Sequence, residues 1–148
     1  MRLGALLLVS AALAMTQEFA FQVASPVASQ DFHFKTAAFV FRTVGCSGAQ
    51  PPKISATAEG TVTNQRRSVA LKVVEGSKPG VYAVFQSWPR EGQWLVDLVG
   101  TCGNESAGAL IPIGLNGFNR ESAKFFPHMP TKSEIESSVK ELAQEGNK

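Results

Sequence analysis

Few side chains in this sequence could do chemistry, and their types and spacing narrow what that chemistry would be. Cys46 and Cys102 are the only cysteines in 148 residues. A redox pair or reactive thiol needs close spacing or basic neighbours that lower the thiol pKa, and neither cysteine has them. Two cysteines in a chain that carries an export signal point instead to one structural disulfide. Such a bridge would contribute about 4 kcal/mol in the chain-entropy model. His33 and His128 are the only histidines. His128-Met129 offers the imidazole and thioether that copper accepts, and His33 is the one further imidazole. Two or three such groups are too few to define a site, so no metal and no other cofactor is expected.

Asp97 is the one carboxylate inside a strongly apolar stretch, LVDLV. A catalytic acid needs a second titrating group tuned against it, and the only other aspartate is Asp31. An ion pair or an outer-face position is the expected reason for Asp97. The serines and threonines fall in no nucleophile elbow, no serine–lysine spacing and no phosphate-cradling glycine loop. An enzyme is not expected. Asn104-Glu105-Ser106 is formally a glycosylation acceptor on a polar loop.

The elements that would position these residues are mostly strands. Gly80–Cys102 holds both tryptophans and the only tyrosine, and it reads as a β-hairpin. Val81–Trp88 is one arm and Trp94–Val99 the other, joined by Pro89-Arg90-Glu91-Gly92 with Gly92 left-handed. Upstream, Phe32 and Phe34 followed by Phe39–Thr43 predict a strand. Ile54–Val62 predicts another, turning at Asn64-Gln65 into a strand over Ser68–Glu75. Downstream, Ala109–Ile113 predicts a short edge strand, because Pro112 cannot donate to a ladder. The sum is an all-β fold: an immunoglobulin-like antiparallel β-sandwich of about seven strands with a C-terminal amphipathic α-helix. Thr131-Lys132-Ser133-Glu134 predicts the helix start as a capping box, with Ile135, Val139 and Leu142 as its apolar stripe.

Arg2 followed by the apolar run Leu3–Ala14 reads as an export leader, too short for a permanent span of about 20 residues. Ala12-Leu13-Ala14 is a small-x-small cleavage signal, although a later site, before Ser29, is also open. The expected layout is a signal peptide over 1–24, with its cleavage point anywhere in 14–28. A sandwich over 30–117 and an aromatic linker with the helix over 118–148 follow. Residues 17–30 read as the rest of the leader or a loose arm. Charged residues make up 18% of the chain, with a formal net charge of +2 and no basic stripe, so nucleic acid is not an expected partner. The expected location is periplasmic or secreted, with no stable membrane span after cleavage.

Gly80-x-Tyr82 followed by Trp88-Pro89-x-x-Gly92-x-Trp94-x-Val96 resembles the last hairpin of the YtkA-like and FixH-like bacterial envelope domains. The resemblance covers residues 80–99 and implies an immunoglobulin-like fold in an exported setting. It transfers no functional residue. The expected function is therefore a non-enzymatic interaction module in the bacterial envelope, binding a protein partner whose identity the sequence does not reveal. Its candidate contacts are the Ala109–Ile113 edge and the aromatic tail, namely Phe118, Phe125, Phe126, Ile135, Val139 and Leu142. A periplasmic copper-binding protein or metal chaperone, and a purely structural secreted domain, are the alternatives.

Overall fold

The computed structural model describes residues 17–48, 50–114 and 117–146. Its strands are β1 (Ala20–Ala24), β2 (Phe39–Val44), β3 (Lys53–Val62), β4 (Gln65–Leu71) and β5 (Val73–Glu75). There follow β6 (Val81–Val84), β7 (Gln93–Cys102), β8 (Glu105–Gly114), β9 (Gly117–Phe118), β10 (Lys124–Phe126) and the helix α1 (Lys132–Glu145). They form two antiparallel sheets. The first has the order β1-β2-β6-β5, and the second β10-β8-β7-β3-β4, with β9 also on β8. The fold is thus an all-β sandwich with a C-terminal helix, as the strand-and-turn pattern predicts.

Alternation explains which faces meet. Along β7, Trp94, Val96, Leu98 and Cys102 turn inward to the main core, together with Ala56 and Ala58 of β3 and Ala107, Ala109 and Ile111 of β8. From the first sheet come Phe21, Val23, Phe39, Phe41, Tyr82 and Val84. Thr63 and Asn64, at φ 49° and 62°, make the two-residue turn between β3 and β4. Both central residues are left-handed, which matches the twist of the flanking strands.

Several expectations change. First, Gly80–Cys102 is not a hairpin. β6 pairs with β2 and β5, whereas β7 pairs with β3 and β8. Residues 85–92 therefore carry the chain from one sheet to the other. Gly92 is left-handed as expected, at φ +83°, but its turn serves a crossover. Second, the strand read over Ser68–Glu75 breaks at Lys72. Leu71 pairs with Ala56 in the second sheet and Val73 with Val84 in the first. The period-2 pattern runs through the break because Val69, Leu71 and Val73 all pack on the main core.

Third, Ala109–Ile113 belongs to an interior strand, since β8 has β7 on one side and β9 and β10 on the other. Pro112 is tolerated because its missing donor faces the gap between those two short strands. β10 pairs with residues 108–110 and β9 with 113–114. The Pro112 carbonyl, on the same side as its nitrogen, accepts from Asn119 N at 2.8 Å. Fourth, residues 17–30 are no loose arm. β1 pairs with β2 over five residues, and Phe19, Phe21 and Val23 are buried. The apolar run Leu3–Ala14 lies outside the described residues, but a leader reaching residue 24 would remove this strand. Phe32–Phe34, read as part of a strand, is one turn of 3-10 helix. Asp31 caps it by accepting from His33 N at 3.0 Å, a local bond that competes with extended backbone.

The helix lies on the second sheet. Val139 is buried against Leu95 and Leu110, with Ile135, Leu142 and Phe126 beside it. The capping box is present, with Thr131 Oγ1 accepting from Glu134 N and Glu134 accepting from Thr131 N. Arg66, at the start of β4 beside the β3–β4 turn, ties the helix down. Its Nη2 lies 2.8 Å from Glu136 Oε1 of α1, and its Nη1 lies 2.7 Å from Glu59 of β3.

Two predictions follow from this packing. A chain beginning at Ser25 should lose cooperative thermal unfolding, while one beginning at Gln17 keeps it. Replacing the Thr131 cap by Ala should lower stability by about 1 kcal/mol in chemical denaturation.

Candidate functional site

The residues singled out in the sequence lie in separate parts of the fold. Cys46, just after β2, is bonded to Cys102, the last residue of β7, with the two Cα atoms 5.8 Å apart. The bridge therefore joins the two sheets at one end of the sandwich. His33 is exposed in the 3-10 turn on the first sheet's side. His128 lies between β10 and α1, its Nδ1 at 2.9 Å from the Met129 carbonyl and its Nε2 at 3.7 Å from Glu134 Oε1. Among the described residues, no three His, Cys, Asp or Glu side chains form a group that could hold a metal. Of the tail residues, Phe126, Ile135, Val139 and Leu142 pack on the chain's own second sheet. Phe118 packs on the main core, its ring 6.1 Å from that of Phe39. Phe125 alone stays half exposed, at 51%.

Phe125 reaches a groove of about 860 Å³ on the outer face of the first sheet. Cross-strand pairing builds its wall in two rows. Gln22, Arg42 and Val81 stand side by side on β1, β2 and β6, and Ala24, Val40 and Ala83 form the next row. Small Ala24 on the edge strand leaves room beside Val40 and the buried ring of Phe34. The segment Ala28–Asp31 and the turn Gly76–Lys78 add to the lining, and Arg120 and Phe125 complete it from the chain before and within β10. The volume falls in the range of small-ligand sites, roughly 300–1,000 Å³.

The electrostatics of the groove are one-sided. Asp31 is its only carboxylate, and its oxygens are occupied. Oδ1 accepts from His33 N, and Oδ2 accepts from Ser77 N and Ser77 Oγ, both at 3.2 Å. The Ser77 and His33 backbone bonds hold its pKa below the usual value, so it stays ionised and fixed to its own loops. The cations lack such partners. Arg42 Nε donates to the neutral Gln22 Oε1 at 2.6 Å, and Lys78 Nζ donates to the neutral Gln30 Oε1 at 3.0 Å. Among the described residues, neither these two nor Arg120 has a carboxylate within ion-pair distance. Sequence reading missed this site because its residues come from three distant stretches and β1 was assigned to the leader. The alternation of Phe19, Phe21 and Val23 with Ala20, Gln22 and Ala24 was the available signal.

Fold and groove together define an all-β sandwich that carries a helix on one face and an open, positively charged groove on the other. Compared with protein-family models, with curated proteins and with solved structures, the chain finds no match.

Asp97 is at the opposite face. It sits on the outer side of β7, between Thr57 of β3 and Leu110 of β8, on the face that α1 covers. Its Oδ1 is buried without a hydrogen-bond partner. Burial, and then the charge of Glu59, push its pKa up from 3.8 to about 6. Glu59 itself is held by Arg66 Nη1 and Ser68 Oγ. Neither carboxylate lines the groove. Since the folded pKa is the higher one, between about pH 4 and 6 the folded chain keeps a proton that the unfolded chain has lost. Stability from this group therefore falls as pH rises through that window. Asp97→Asn should raise stability at pH 7 by on the order of 1–2 kcal/mol, a partial-exposure discount on the ~1.4 kcal/mol per pKa unit. The gain should vanish near pH 4, as denaturant titrations at the two pH values would show.

Proposed function

We propose that this protein is an exported, non-enzymatic binding protein of the bacterial envelope, periplasmic or secreted, whose ligand lies in the groove over the first sheet. One observation carries the reading: both sheets bear apolar residues on their outer faces, but only the second is sealed by a helix. Val139 and its neighbours close the second face. Over the first face, Phe34 and Ala37 cover only part of the surface, and the remainder is the groove. The leader-like N-terminus and the Cys46–Cys102 bridge support an oxidising location, where such a bridge persists. Binding through the Ala109–Ile113 strand loses its basis, because that strand is interior.

The reading is tested with an environment-sensitive anilinonaphthalene dye and the exported protein. The wild type should bind the dye with a saturable fluorescence rise. Ala24→Trp and Ala28→Trp, each placing an indole in the groove, should weaken binding by about tenfold with unchanged thermal unfolding. Equal binding by folded wild type and both variants would move the site elsewhere.

A further inference from the structure

The groove's free chemistry is narrower than its list of lining residues. Its polar groups are mostly engaged with one another: Gln22 with Arg42, Gln30 with Lys78, and Asp31 with the His33 and Ser77 backbone. A sugar or a polar peptide would therefore meet few unoccupied hydrogen-bonding groups. What remains open to a ligand is apolar surface from Ala24, Val81 and Phe125, and positive charge from Arg42, Lys78 and Arg120.

We propose that the groove binds a single-chain amphiphilic anion, a free long-chain acyl carboxylate, with its head group on Arg42 and its chain along Ala24, Val81 and Phe125. The proposal rests on the reading of the groove as a binding site. Arg42 is the head-group anchor because of how it is held. Gln22 takes only its Nε, at 2.6 Å, which fixes the guanidinium. Its Nη1 and Nη2 have no partner among the described residues. A planar fork with two unoccupied donors matches a carboxylate in bidentate geometry. Lys78 and Arg120 add positive field from two other sides, and the fixed Asp31 carboxylate only partly offsets it. The apolar part explains Phe125, a large aromatic left half exposed beside the groove. Each methylene of an acyl chain laid on such a surface leaves water, so displacement should strengthen with chain length.

The test is competition against the bound dye, using the exported protein and three probes of equal chain length: dodecanoate, dodecan-1-ol and dodecyltrimethylammonium. All are used below their aggregation concentrations. Dodecanoate should displace the dye about tenfold more effectively than the alcohol, as one charge-assisted bidentate contact implies, and the preference should shrink at high salt. Arg42→Gln should reduce the acid-over-alcohol preference to about twofold while the dye still binds, and Arg120→Gln should reduce it in part. Lys53→Gln, on β3 away from the groove, should leave it unchanged. Dye binding with no preference for the acid would overturn the inference and leave the binding function standing. An unaltered preference in a folded Arg42→Gln variant would overturn the anchor. Binding to phosphatidylglycerol vesicles without binding of free dodecanoate would overturn the free acid in favour of a membrane surface. Absence of dye binding by the wild type would remove the groove reading and the inference together.

Discussion

The sandwich depends on aromatic packing between its two sheets at the β1 edge. Phe19 and Phe21 lie 5.9 Å apart by ring centroids, Phe21 meets Phe41 edge-on at 5.6 Å, and Phe41 stacks on Tyr82 at 5.2 Å. This row crosses three strands of the first sheet and needs space on the second. Gly100 of β7 provides that space, since a Cβ there would come within 2.7 Å of the Phe21 ring and 3.1 Å of Phe19. Large rings on one sheet opposite a residue without a side chain on the other is how close-packed density is reached with side chains of unequal size. The Cys46–Cys102 bridge then holds the same two sheets together at one end, where the chain leaves β2 and β7.

With the interior filled this way, the outer faces differ in consequence. Both carry apolar residues, because β2, β6, β7 and β8 are each apolar on two sides for part of their length. On the second sheet the helix solves the problem, seating Val139 on Leu95 and Leu110 and clamped by Arg66 between Glu59 and Glu136. A carboxylate under that helix, Asp97, is a cost of the arrangement, visible in its raised pKa and its unpartnered oxygen. On the first sheet the cover is a loop. Asp31 draws it together by capping the turn after it and by accepting from Ser77. A loop held at one carboxylate covers less surface than a helix of four turns, and the groove is what it leaves open.

Much of the fold was legible in the sequence because it depends on local chemistry. Alternation marked β2, β3 and most of β7, the positions of Asn64 and Gly92 marked turns, and Thr131 with Glu134 marked the helix start. The cysteine count and the leader-like run suggested the pairing that the fold contains. The misreadings share one cause. A strand's period shows that one face is buried but not which strand lies beside it. Val81–Trp88 and Trp94–Val99 therefore looked like partners, and Ser68–Glu75 looked like one strand although it changes sheets at Lys72.

What the sequence determined by itself is the inventory: a β-rich chain, one cysteine pair, a capped helix, and few charges in near balance. Each of these follows from residue types and short spacings. Only the tertiary structure decided which residues stand next to one another in space. It placed Phe19 to Val23 in the core, made Pro112 tolerable by facing it into a gap, and brought Arg42, Lys78 and Arg120 to one groove. Those outcomes depend on contacts between segments tens of residues apart. Such contacts are set by which sheet each strand joins, and no local pattern in the chain encodes that choice.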